Sequence, residues 1–198
     1  IDIEYDQEIY NAIKICERKK EKLAGEDKKL FDEMLRDYNR MGFELPTKKR
    51  KELKKIFKKI AELMSTFSKN VNDYEDYILV TEKDLIGLPK SYIANLRKDK
   101  SGRYKITLEY PDISPFMEKC QNADKRKELA DKNSQKGGRK NLEIARKILF
   151  LRNRLAKILK YNTYADYVLE ERMAKNLKTG RSFIDDLMPR LKPLAVKE

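Results

Sequence analysis

The sequence contains no histidine and no tryptophan, and among its 198 residues it has only 2 cysteines, 6 prolines and 7 glycines. Each shortage excludes something. Without histidine, the His-based zinc ligand sets of metallopeptidases cannot be assembled from these residues. Serine and cysteine nucleophiles likewise lose their commonest general base. Cys16 and Cys120 share no metal-ligand spacing and read as reduced thiols of a cytosolic-type compartment, with a single disulfide as the open alternative. Few glycines and prolines imply few turns and long helices. Gly102 and Gly137-Gly138 match neither a Walker nor a dinucleotide pattern, so they read as turns. No apolar run approaches the roughly 20 residues that span a bilayer. The chain opens at Ile1 with no methionine, signal peptide or transit segment, and on that ground is read as an internal fragment.

What the chain has in abundance is charge. Lys+Arg number 46 against 33 Asp+Glu, a net +13, and charged and hydrophobic residues each make up 40%. A basic surface can attract nucleic acid, acidic lipid or acidic peptides. Here acids alternate with bases, as in Glu17-Arg18-Lys19-Lys20-Glu21-Lys22, so solvated helix faces are the expected form. Lys48-Lys49-Arg50-Lys51 could contact phosphates, but it sits at a helix start, where the dipole disfavours positive charge. A solvated helix start is the simpler reading. The carboxylate pairs Glu170-Glu171 and Asp185-Asp186 occupy adjacent helical positions, about 100° apart, and are expected in different surroundings. Tyr164 and Tyr167 share a helix face, which implies packing rather than base stacking.

Periodicity gives a mainly helical chain. Asp2 to Leu23 carries Ile9, Ala12, Ile13 and Cys16 at helical spacing, and the chain then reaches Gly25. A second helix, Asp27 to Met41, is expected to bury Leu30, Phe31, Met34, Leu35 and Tyr38 and to stop at Gly42. From Thr47 a long helix aligns Leu53, Ile56, Phe57, Ile60, Leu63, Met64, Phe67 and Val71 opposite Lys51, Lys54, Lys55, Lys58 and Lys59. Phe57→Ala is therefore expected to destabilise far more than Lys58→Ala. Tyr77 to Val80 reads as a strand, and Thr81-Glu82-Lys83-Asp84 as a capping box opening a short helix. Ser91 to Leu96 is a helical turn. Tyr104 to Tyr110 alternates apolar with polar, a half-buried strand pairing with the first. Pro115 is placed in the first turn of a helix beginning at Ser114. Helices then follow over Asp124 to Gln135, over Asn141 to Leu159 and over Tyr164 to Glu171, the last capped by Thr163. A final helix carries Phe183, Ile184, Leu187 and Leu191, with Pro189 expected to kink it.

Ordered along the chain stand Met41-Gly42-Phe43-Glu44-Leu45-Pro46, Phe67-Ser68-Lys69-Asn70-Val71-Asn72-Asp73, Leu85-Ile86-Gly87-Leu88-Pro89 and Tyr104 to Pro111. Then comes Leu151 to Lys175, whose core is Tyr164-Ala165-Asp166-Tyr167-Val168-Leu169-Glu170 followed by Met173-Ala174-Lys175. This set resembles the thimet-type zinc oligopeptidases, over nearly the whole chain. The resemblance implies a mainly helical protein with two lobes flanking a deep channel, and a zinc endopeptidase that cuts short peptides. It places these residues upstream of the catalytic zinc motif, His-Glu-x-x-His, which they lack. No catalytic, cofactor-binding or metal-binding residue is carried over.

The expected fold class is mainly α, a multi-helical lobe with one small β-hairpin or two-stranded sheet insertion. Residues 1–76 form a helical segment, 77–112 a strand-helix-strand insertion and 113–198 a second helical segment, all in one lobe of a larger enzyme. The expected role is a non-catalytic part of the substrate-channel wall, with zinc held in the full-length parent and none bound by this segment. Expected partners are short peptides, as substrates of the parent, and the missing catalytic lobe. No membrane is expected, nucleic acid is disfavoured, and the expected compartment is cytoplasmic, with an organelle as the open alternative. The rival reading is a standalone basic helical module binding RNA or an acidic protein partner.

Overall fold

Helices dominate because long stretches keep apolar residues at helical spacing with few breakers between them. The computed structural model describes residues 6–197. In chain order the elements are α1 (Gln7–Lys19), α2 (Gly25–Arg40), α3 (Thr47–Asn72), β1 (Tyr77–Val80), a 3-10 turn (Glu82–Leu85), α4 (Lys90–Asn95) and β2 (Tyr104–Thr107). There follow α5 (Tyr110–Lys119), α6 (Ala123–Ser134), α7 (Gly138–Ile158), α8 (Tyr164–Leu169) and α9 (Leu177–Ala195). Among the described residues the fold is mainly α with one antiparallel two-stranded sheet. Two compact units divide the chain: Met64–Ala145, and Ile1–Leu63 with Arg146–Glu198.

In the Met64–Ala145 unit the strands pair in the register Tyr77 to Thr107 and Val80 to Tyr104. That register puts Ile78 opposite Ile106, so both branched side chains enter the core beside Val80, Leu85, Leu108, Phe116 and Leu129. Asp84 ties the 3-10 turn down. One of its carboxylate oxygens accepts from the Thr81 amide at 2.8 Å, and the other accepts from Asn122 at 2.7 Å. Asn141 is buried with both amide groups used, donating to the Phe67 carbonyl at 3.1 Å and accepting from Asn70 at 2.8 Å.

Among the described residues the other unit has two cores. Tyr10, Tyr38 and Phe43 pack with ring centroids 4.8 to 5.6 Å apart, joining α1 to α2 and the turn after it. Leu53, Ile56 and Ile60 of α3 meet Leu155 of α7, with Tyr164 and Tyr167 alongside. Gly42 has φ +84, and a β-carbon there would stand 2.6 Å from Leu53 Cδ2. The turn therefore needs glycine both for its left-handed backbone and for the approach of Leu53.

Several expectations change. Of the first helix, residues 1–5 lie outside the described residues, and Asp6 caps the described part by accepting from the Glu8 amide at 2.7 Å. That helix stops at Lys19, well short of Gly25, and buries Tyr10 and Ile13, while Ile9, Ala12 and Cys16 face solvent. The aromatic trio explains the rotation, since Tyr10 brings more area to Tyr38 and Phe43 than Ile9 would. In α2 Leu30 is exposed. The α3 stripe is buried through Ile60, but Phe57 and Leu63 are half-buried and Met64 is exposed. The second strand stops at Thr107. Glu109 then stands at the N-cap position of a helix that starts at Tyr110, leaving the Tyr110 ring 81% exposed. Pro111 takes the first-turn position, and Pro115 falls inside the helix. The alternation misled because Asp112 accepts from the Thr107 amide, at 3.1 Å, and pulls the chain into a helical turn.

Candidate functional site

The block Leu151 to Lys175 is the end of α7, a tight turn, α8 and the lead into α9. Lys160 adopts φ +66 to end α7. Thr163 then caps α8, its hydroxyl oxygen accepting from the Asp166 amide at 3.1 Å. Asp166 serves two elements at once: Oδ2 accepts from the Thr163 hydroxyl at 2.8 Å, and Oδ1 from the Leu177 amide at 3.1 Å. Those bonds hold its carboxyl below the usual range, the Thr163 contact first. Tyr164 and Tyr167 pack at 5.7 Å, and Tyr161 meets Tyr167 edge-on at 5.3 Å.

Against this block stands Arg40, at the last position of α2 and only 8% exposed. Its guanidinium donates to Glu170 Oε2, pairs through Nε with Glu171 Oε1 at 3.1 Å, and donates from Nη2 to the Tyr167 carbonyl at 2.8 Å. Its central carbon lies 4.0 Å from the Tyr167 ring centroid. Arg36 also reaches Glu171, at 3.1 Å, and the Tyr161 hydroxyl donates to Glu170 Oε2 at 2.6 Å. Glu170 and Glu171, expected in different surroundings, thus converge on one cation. The reason is geometric: Glu170 follows the last residue of α8, and the planar guanidinium fork presents one edge to each carboxylate. A cleft of about 520 Å³ opens beside them, lined by Met34, Asp37, Tyr38, Arg40, Tyr167 and Glu171 among others.

This arrangement joins the end of α2 to the α8 turn. Burial, and then the bond to Glu170, push the Tyr161 hydroxyl up to about 12, and burial raises Tyr167 as well. Neither tyrosine is poised for proton transfer near neutrality. Elsewhere Cys120 is buried with its thiol against the Asp84 carbonyl at 3.2 Å, and burial raises its pKa; Cys16 is exposed, and both are free thiols. Asp185 and Asp186 lie on exposed α9, Asp185 pairing loosely with Arg181 at 3.5 Å. Lys48, Lys49 and Lys51 are exposed at the start of α3, while Arg50 covers the Phe43 ring at 4.9 Å. Gly102 belongs to a turn organised by Asp99.

Among the described residues no group of three or more Cys, Asp and Glu side chains is placed to hold a metal. With no histidine in the sequence, the residues present do not fit a zinc site. Sequence reading missed Arg40 altogether, because its partners lie 127 and 130 positions away and no local pattern announces them.

The model of peptidase family M3 matches residues 116–198. A probable thimet oligopeptidase of Arabidopsis thaliana is 31% identical over 192 residues, covering 97% of this chain and 27% of the relative. Saccharolysin of Saccharomyces cerevisiae is 36% identical over 188 residues, covering 91% of this chain and 26% of the relative. Oligopeptidase A of Escherichia coli is 30% identical over 186 residues, covering 86% and 27% respectively. The chain therefore spans about a quarter of the length of these relatives. The family model and these relatives together support the thimet-type M3 peptidase family for this chain.

Proposed function

We propose that these residues are a non-catalytic helical segment of a zinc metalloendopeptidase that hydrolyses short peptides, and that they form part of its substrate-channel wall. The segments 1–76, 77–112 and 113–198 would belong to one helical lobe of that enzyme, acting in the cytoplasm. One observation carries the reading: identity of about a third with oligopeptidases over nearly the whole chain, in a sequence with no histidine. Kinship supports a peptidase parent, and the absence of histidine supports a zinc site on residues outside this segment. What these residues do is mechanical. The Arg40 cluster fixes α2 to the α8 turn, Asp166 fixes α8 to α9, and a wall held this way keeps its spacing when a peptide enters. A narrow channel with rigid walls would admit extended peptides and exclude folded proteins.

The net charge of +13 motivates the rival, a basic module for RNA or an acidic partner. Reading the coding sequence past codon 198, and assaying its product, separates the two. Continuation into His-Glu-x-x-His is expected, with cleavage of a short quenched fluorescent peptide and no cleavage of a folded protein. A stop at that codon, with sequence-selective RNA binding that persists at physiological salt, would replace the peptidase reading with the binding module.

A further inference from the structure

α9 is built like a core helix and placed like a surface one. Phe183, Ile184, Leu187, Met188, Leu191 and Leu194 recur at spacings of three and four, and about 100° per residue gathers them into an arc of about 140°. Lys178, Arg181, Asp185 and Lys192 occupy another arc, and Pro189 and Pro193 also fall outside the apolar one. The six apolar side chains are nevertheless 38–66% exposed, whereas Leu53, Ile56 and Ile60 on the comparable face of α3 are buried. Among the described residues, the hydrogen bonds that anchor α9 to the preceding segment reach only its first turn: Asn176 caps it by accepting from the Thr179 amide at 2.9 Å, and the Leu177 amide donates to Asp166 at 3.1 Å. Beyond that turn the helix has two interior prolines and, among the described residues, no buried side chain to offset them. Contiguous apolar faces of this kind mark interaction sites.

We propose that this face of α9 is the docking surface for the portion of the same M3-type protein that lies outside these 198 residues, and that the docking element presents an apolar surface. The assignment rests on the peptidase reading above. Three observations select this occupant. The relatives are nearly four times as long as the stretch matched here, so most of such a protein is available to cover the face. α9 lies inside the part of the chain that the family model matches. A second copy is disfavoured, since each copy carries +13 and the charges repel, whereas an element of the same chain docks at high effective concentration.

Cysteine accessibility tests it. In a Cys16→Ser background, which leaves only buried Cys120, Leu187→Cys places a thiol on the apolar arc and Ser182→Cys one on the opposite side. Maleimide labelling is followed in the 198-residue chain and in the product of the uninterrupted coding sequence. The expected result is fast labelling of both positions in the shorter chain. In the longer product, labelling at 187 should be slowed about tenfold or more while 182 stays open. Equal labelling at 187 in both proteins overturns the assignment. Protection at 187 that grows with concentration in the shorter chain overturns it too, in favour of a second copy. A coding sequence ending at codon 198 would overturn the peptidase reading itself, and this inference with it.

Discussion

Removing the charge of Arg40 while keeping its bulk, by Arg40→Met, probes the cluster that joins α2 to the α8 turn. The guanidinium makes three polar contacts, to Glu170, Glu171 and the Tyr167 carbonyl, and stacks on the Tyr167 ring. Breaking a fully buried ion pair costs about 3–5 kcal/mol because the partner charge is left uncompensated. Here the glutamate side chains are 44% and 35% exposed, and each keeps a second partner, Tyr161 for Glu170 and Arg36 for Glu171. Water and those partners absorb part of the loss, which leaves about 2–3 kcal/mol. At a urea dependence of roughly 2 kcal/mol per molar, the midpoint should fall by about 1 M. Helix loss followed by far-ultraviolet circular dichroism in urea at pH 7 measures this. Arg40→Lys should recover less than half, since an ammonium cannot bridge both carboxylates and the carbonyl from one position. A midpoint for Arg40→Met within the spread of surface variants would show that the cluster contributes nothing, and the proposed wall would lose its support.

Other substitutions test other links. Leu53→Ala empties a fully buried site and should cost about 3–5 kcal/mol, Phe57→Ala less because Phe57 is half-buried, and Lys58→Ala within about 0.5 kcal/mol; urea denaturation ranks the three. Gly42→Ala should cost more than about 1 kcal/mol in the same assay, combining a left-handed backbone with the clash at Leu53. Asp99 is held at about 2, chiefly by the Ser101 hydroxyl and further by Arg103. A lowered carboxylate contributes order that is present above its unfolded value of about 4 and lost as pH falls toward 2. Nuclear magnetic resonance titration should find that midpoint, and Ser101→Ala should move it upward.

How much of this was legible in the sequence depended on how far each residue's partners lie. The start of the long helix at Thr47, the strand Tyr77 to Val80 and the Thr163 cap all appear where local pattern placed them, because caps and alternation are set within a few residues. Tyr110 did not follow its alternation, since Asp112 captured the Thr107 amide and a helix began instead. The face of α1 was misplaced for a longer-range reason: Tyr38 and Phe43 decide which side is buried. Arg40 and its two glutamates were out of reach of any local rule. The family resemblance, by contrast, was legible because it sits in contiguous motifs such as Tyr164 to Glu170, whose hydrogen bonds and ring contacts now explain several of those residues individually.

The central claim is that these residues support a zinc peptidase without holding its zinc. Elemental analysis after exhaustive dialysis tests it most directly, on the 198-residue chain and on the product of the uninterrupted coding sequence side by side. The account predicts no stoichiometric zinc in the first and one zinc per chain in the second, with peptide cleavage following the metal. One zinc per chain in the 198-residue protein would contradict it.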